Sequence, residues 1–109
     1  MRKPTKFKSG FYNWKIVWSK EKTDDMFGKT DIVTKTVTIY KQDNEEIERE
    51  TLFHELMHVV GEDKYEAIFS YEPEKKELDR EENLIRLLSP SMMQMFSDNK
   101  DLSRFLFKI

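Results

Sequence analysis

Residues 51–60 read TLFHELMHVV, and this stretch decides the fold because it holds both histidines of the chain within a helical pattern. Upstream, Asp43 or Asn44 can cap a helix, and Gly61 is well placed to end it. The pattern therefore predicts a helix over residues 45–60. Its core-facing stripe, spaced three and four residues apart, is Leu52, Leu56, Val59 and Val60.

The pentad HELMH places His54 and His58 four residues apart. Residues at this spacing lie on one helix face about one turn apart, so both imidazoles can reach a single ion. A catalytic zinc takes three protein ligands and leaves its fourth position to water, which Glu55 is close enough to meet. The pattern predicts zinc bound by His54 and His58, with Glu55 as the general base of a hydrolase.

The third zinc ligand must be a carboxylate, because the chain has no cysteine and no further histidine. Lys64 stands where the HExxHxxGxxH pattern of metzincins needs its third histidine. On a later helix, Glu81 falls in the middle of the apolar face and Glu82 at its edge, where a carboxylate needs a cation. We expect one of these two, Glu81 first and Glu77 in reserve; the alternative is that all three are surface charges. The other acidic candidates are Glu62, Asp63 and Glu66.

The composition indicates one small domain. The chain has 109 residues, 38% of them hydrophobic, and its 19 basic and 21 acidic residues leave a net charge of −2, which does not favour nucleic acid. Residues 1–10 are interpreted as a solvated basic leader, or alternatively a phosphate-binding tail, and residues 11–109 as the domain. No stretch resembles a signal peptide or a membrane span, so we expect a cytoplasmic protein. The basic residues of the leader are Arg2, Lys3, Lys6 and Lys8.

Three segments before the helix have the period of a strand. Alternating aromatic and polar residues predict a strand over 11–20, a shorter one over 26–31 with Gly28 as a bulge or turn, and a third over 36–41. Because the connections are short and contain no helical pattern, we expect a three-stranded antiparallel meander. The predicted fold class is α+β, with this sheet packed on the HExxH helix and on C-terminal helices.

The C-terminal half carries further helical patterns. Residues 62–76 predict a short helix or a loop, and a second long helix begins near residue 76 until Pro90 interrupts or kinks it. Asp98 or Asn99 then caps a last short helix. Its expected core anchors are Leu102, Phe105 and Leu106.

TLFHELMH, preceded by strands and followed by EENLIRLLSP and SMMQMFSDNKDL, resembles small phage and prophage HExxH metallopeptidases of the gluzincin kind, including ImmA/IrrE-like and SprT-like domains. The resemblance covers about residues 28–102, and HELMH is its one specific motif. It implies a minimal zincin-like domain whose zinc site is completed by a glutamate from a following helix, here Glu81 or Glu82. The small residues that follow this glutamate in ImmA-like chains are absent.

Three functions compete at this point. The leading expectation is a zinc metallopeptidase that cuts an extended protein or peptide segment held along an edge strand. Tyr65 or Tyr71 is a candidate to stabilise the oxyanion. The second is a metal-stabilised binding or inhibitory module without catalysis, and the third is a nucleic-acid adaptor that uses the basic leader. The acidic body disfavours the third, so we expect neither a nucleic-acid nor a membrane partner.

Overall fold

Four strands and three helices form an α+β fold in the computed structural model, which describes residues 2–63 and 77–109, with residues 63 and 77–81 as backbone only. The predicted α+β class is confirmed. Within the described ranges, no helix combines the length and the apolar character needed to cross a bilayer. In chain order the elements are β1 (Lys6–Ser9), β2 (Tyr12–Trp18), β3 (Gly28–Asp31), β4 (Thr36–Ile39), α1 (Glu45–Asp63), α2 (Glu77–Asp98) and α3 (Lys100–Phe107).

The sheet is mixed and has the strand order β1-β2-β4-β3, so the prediction of a three-stranded antiparallel meander is wrong. The predicted strands correspond to β2, β3 and β4, but β4 pairs in parallel with β2, and β3 lies beyond it in antiparallel orientation. Burial explains the order. β4 carries Val37 and Ile39, which are fully buried, whereas β3 has the polar sequence GKTD. The apolar strand therefore takes the interior position and the polar strand the edge.

The fourth strand, β1, lies in the segment interpreted as a solvated leader, and that interpretation is wrong for Lys6–Ser9. Phe7 is buried and stacks on Trp14 of β2, with ring centroids 5.8 Å apart. The strand has only one large apolar side chain, and it stands between two exposed lysines. The alternation typical of a strand was therefore not recognised in the sequence. Asn99 covers its outer edge, because its side-chain amide accepts a hydrogen bond from the Lys8 N–H at 2.7 Å and donates one to the Lys8 carbonyl at 2.8 Å.

Helix α1 begins where its sequence predicts and ends three residues later than predicted. The Asn44 side chain caps it by accepting a hydrogen bond from the N–H of Glu46 at 2.7 Å, while Asp43 pairs with Lys22 instead. Gly61 does not end the helix, which continues to Asp63, because Gly61 keeps a negative φ. A helix-ending glycine typically adopts the left-handed conformation, and this one does not.

Helix α2 runs through Pro90 without a break, so the predicted interruption is wrong, while the alternative of a kink stays a prediction. Proline removes one N–H and leaves the carbonyl of Arg86 without its helical partner. Both residues are exposed, so water can satisfy that carbonyl. The predicted last helix and its core anchors are confirmed in α3, since Leu102 and Phe105 are buried and Leu106 packs against the core. Asn99 is the N-cap residue, but its side chain makes no capping hydrogen bond.

One buried cluster joins the sheet to α1, α2 and α3. The apolar stripe predicted for α1 is confirmed, because all four of its residues are at most 3% exposed. The Trp18 ring on β2 meets Phe105 on α3 edge to face, with centroids 5.3 Å apart, and its N–H donates to the Pro4 carbonyl at 2.7 Å. The buried apolar residues of the cluster are Phe7, Trp14, Ile16, Val37, Ile39, Leu52, Leu56, Val59, Val60, Met95, Leu102 and Phe105.

Candidate metal centre

His54 and His58 lie one turn apart on an exposed part of α1. Their Nε2 atoms are 3.1 Å apart, and their ring planes meet at 75°. Two nitrogens that bind one tetrahedral zinc at roughly 2.0 to 2.1 Å are about 3.3 to 3.4 Å from each other. The observed separation is within a few tenths of an ångström of that value. The separation is therefore compatible with a shared zinc, and a hydrogen bond between the two rings gives the same distance.

Glu55 is the buried member of the group, with 6% of its surface exposed. One of its carboxylate oxygens and one ring nitrogen from each of His54 and His58 all lie within 4.8 Å of one another. The Thr30 hydroxyl on β3 lies 3.4 Å from Oε2 of Glu55 and 3.4 Å from its backbone carbonyl. Glu55 thus lies between the histidines and β3, where bulk water screens its charge less than at the surface.

Gly28 allows β3 to approach α1 closely. A Cβ at this position would lie 2.8 Å from Cγ2 of Thr51, 3.0 Å from the carbonyl oxygen of Thr38 and 3.2 Å from Cγ of Glu55. The sequence predicted a bulge or turn here, but Gly28 is the first residue of β3 and its φ is not positive. A glycine is required here because there is no room for a side chain, and not because the backbone adopts an unusual conformation.

Gly28 and Thr30 both contact Glu55, and neither was assigned to the site from the sequence. They stand more than twenty residues before the HELMH pentad, and only the packing of β3 on α1 brings them to it. The signal available in the sequence was the alternation within GKTD, which places residues 28 and 30 on the same face of a strand.

The third predicted ligand is not brought to the histidines by the side chains that the structure describes. Glu82 is exposed on α2 and pairs with Arg86 at 3.6 Å. Glu81 and Glu77 belong to the part of α2 described as backbone only, so Glu81 as third ligand stays a prediction. Glu62 is exposed in the last turn of α1. The side chains of Asp63, Lys64, Tyr65, Glu66 and Tyr71 lie outside the described residues.

A cleft of about 490 Å³ opens beside His54 and Glu55. One wall comes from the segment that leads into β3, residues 24–28, and the other comes from the first half of α1. The α1 wall consists of Ile47, Glu50, Thr51, His54 and Glu55. His54 and the buried Glu55 carboxylate therefore border a space large enough for part of a ligand.

Comparisons of the chain with protein-family models, with curated proteins and with solved structures find no match in any of the three. The chemistry of the site consequently rests on its own geometry. Two imidazoles converge on one point, a carboxylate lies beside them, and a cleft gives access from solvent. Such a group can hold a zinc ion and accept a proton from water.

Proposed function

We propose that this protein is a zinc-dependent metallopeptidase of the HExxH type with a minimal zincin-like fold. The observation that carries the proposal is the 3.1 Å separation of the His54 and His58 Nε2 atoms, with the buried Glu55 carboxylate beside them. A hydrogen bond between the two imidazoles would also give this distance, so metal content is the first property to measure. The cytoplasmic location expected from the sequence belongs to the same proposal.

In the proposed reaction, each residue of the pentad has a separate role. His54 and His58 hold the ion, and Glu55 accepts a proton from the attacking water and returns it to the amine that leaves. Zinc, when bound, lowers the pKa of its water to about 7 and polarises the carbonyl of the bond to be cut. Thr30 contacts one side of the Glu55 carboxylate, with its hydroxyl 3.4 Å from Oε2.

The third ligand completes the proposal as a gluzincin. Glu81 on α2 is our choice, with Glu82 as the alternative, because both lie on a helix that comes after the HExxH helix in the sequence. Glu82 is exposed and paired with Arg86 on the surface of α2, whereas the sequence pattern places Glu81 in the middle of the apolar face, which is why we prefer Glu81. Glu81→Ala should lower zinc content, whereas Glu82→Ala should leave it unchanged.

The edge strand β3 is the proposed seat of the substrate. Among the described strands, β3 has one neighbour, β4, so its other side is free of a described strand. An extended peptide can add to such an edge through main-chain hydrogen bonds, which are independent of its sequence. Because Gly28 and Thr30 contact Glu55, a peptide on this edge would pass close to the carboxylate.

The experiment that tests the proposal measures zinc and turnover in the same preparations. Wild type and Glu55→Gln should each contain about one zinc per chain, while His54→Ala and His58→Ala should lose most of it. All three variants should lose turnover of fluorescein-labelled casein by a factor of about a hundred or more. Glu21→Gln, an exposed carboxylate in a loop, is the matched control and should behave as wild type.

Two results would contradict the proposal. Wild-type protein that takes up no zinc would leave the histidines as a hydrogen-bonded pair. A Glu55→Gln variant that keeps both zinc and turnover would show that Glu55 is not the general base. Wild type that binds zinc and a protein ligand without cutting it would favour the alternative, a metal-stabilised binding or inhibitory module.

A further inference from the structure

The cleft beside His54 has an apolar wall that is open to solvent. Met26 and Phe27, just before β3, and Ile47 on α1 all line it, and each keeps between a third and a half of its surface exposed. Large apolar side chains that converge on one cavity are suited to cover the apolar part of a ligand. The wall therefore offers a contact to an aliphatic or aromatic group.

The rim of the same cleft is acidic. Asp24, Asp25 and Glu50 line it with exposed carboxylates, and the described lining contains no lysine or arginine. Lys22 is close enough to Asp24 to feel its charge, but its ammonium group is held by Asp43 at 2.7 Å. Among the described residues, the three rim carboxylates have no ion-pair partner within 4 Å. Among the described residues, the cleft thus combines an apolar wall with carboxylates that have no ion-pair partner.

We infer that this cleft binds a lysine or arginine side chain of the peptide substrate, next to the bond that is cut. The aliphatic stem of such a residue would pack on Met26 and Phe27, and its cationic end would meet the carboxylates of the rim. A neutral apolar side chain would leave the carboxylates of the rim without a cationic partner, and an acidic side chain would be repelled by them. This inference rests on the proposed function.

The position of the cleft determines which residue of the substrate it binds. His54 and Glu55 belong to its lining, so a side chain in the cleft lies within one or two residues of the proposed reaction centre. Gly28 also lines it, at the point where β3 begins. A peptide added along β3 would therefore direct one of its side chains toward the rim, because alternate residues of a strand face the same way.

The test compares cleavage sites in a denatured protein mixture, read by mass spectrometry. Wild type should show lysine or arginine enriched at one fixed position beside the cut bond, by about fivefold, since exposed ion pairs each contribute modestly. The Asp24→Asn/Asp25→Asn/Glu50→Gln variant should lose this enrichment while it keeps its zinc. Raising the salt concentration should weaken the enrichment in wild type.

A binding measurement separates this inference from the proposed function. Fluorescence anisotropy measures the binding of two labelled peptides to wild type. One alternates threonine and lysine, and in the other norleucine replaces lysine, which keeps the aliphatic stem and removes the charge. Tighter binding of the lysine peptide, lost in the triple variant, supports the cleft even if no bond is cut. Equal binding of the two peptides, no binding of either, or a preference that survives in the triple variant overturns the inference.

Discussion

At the scale of single residues, Gly28 controls the distance between β3 and the candidate centre. Gly28→Ala should destabilise the fold by about 1 to 3 kcal/mol, because the added Cβ would overlap Cγ2 of Thr51 and the Thr38 carbonyl. It should also lower turnover, since the same Cβ would press on Glu55. Urea unfolding and casein turnover measure the two effects.

Gly61→Ala is the matched control for that substitution. Among the described residues, nothing lies within 4 Å of a Cβ at Gly61, which sits inside α1 and has a negative φ. Alanine should therefore stabilise the protein by about 1 kcal/mol through its better helix propensity. A Gly28→Ala protein as stable and active as wild type would show that β3 can move away from α1 without cost.

The His54, Glu55 and His58 group was predictable because it depends on one helix. Spacing along α1 fixes which of these side chains share a face, and no other element is needed to bring them together. Thr30 and Gly28 belong to a strand that reaches the site only through tertiary packing. Local pattern carries no information about that contact, so the support of Glu55 was not predicted.

At the scale of elements, the turn between β3 and β4 depends on Asp31. Its Oδ1 accepts hydrogen bonds from the N–H groups of Val33 at 3.0 Å and Thr34 at 3.1 Å, and Lys35 adopts a left-handed φ of 53°. The hydrogen bond from the Thr34 backbone is the main reason that the pKa of Asp31 is lowered from its ordinary value of 3.8. The ionised side chain thus favours the turn.

The lowered pKa gives this turn a defined pH dependence. A carboxylate whose pKa falls on folding stabilises the protein above the unfolded pKa, and it loses that contribution as pH falls through the folded value. Asp31→Ala should therefore lower Tm by a few degrees at pH 7, and the difference from wild type should shrink below pH 3.8. Asp31→Asn keeps an acceptor oxygen and should lose less.

Thermal unfolding between pH 7 and pH 2.5 makes this comparison. A Tm difference between wild type and Asp31→Ala that stays constant across this range would show that the charge on Asp31 does not support the turn. An Asp31→Asn protein as unstable as Asp31→Ala would mean that the neutral amide cannot replace the carboxylate there.

The elements also show where sequence patterns stop being informative. The α1 cap, its apolar stripe and its start were predictable because they depend on residues within two turns of each other. Strand β1 has four residues and one large apolar side chain, which is too little for a period to stand out. The position of β4 between β2 and β3 depends on which strand buries more apolar surface, and this is decided by the whole sheet.

At the scale of the molecule, Asn99 joins its two ends. The side chain lies between α2 and α3, donates to the Met95 carbonyl at 2.7 Å, and makes both hydrogen bonds to the backbone of Lys8 on β1. Asn99→Ala should cost about 0.5 to 1.5 kcal/mol, because it removes three hydrogen bonds, two of which are to exposed backbone groups that water can reach. Urea unfolding and amide exchange at Lys8 report the loss.

Asn13→Ala is the matched control, because Asn13 is an exposed residue of the same type that lies opposite Lys8 on β2. It should change stability by less than about 0.5 kcal/mol. Rapid exchange of the Lys8 amide in wild type, or equal stability of the two alanine variants, would refute the role assigned to Asn99.

An asparagine that occupies the backbone of Lys8 also limits how this protein can associate. Another strand can add to the sheet beside β3. Beside β1, the Asn99 side chain already forms the hydrogen bonds that an added strand would make with the backbone of Lys8. Of the two edge strands, β3 is therefore the one more open to pairing with another strand. Within the part of the chain that the structure describes, a strand from a second copy is therefore expected to add at β3, because at β1 it would have to displace Asn99 from Lys8.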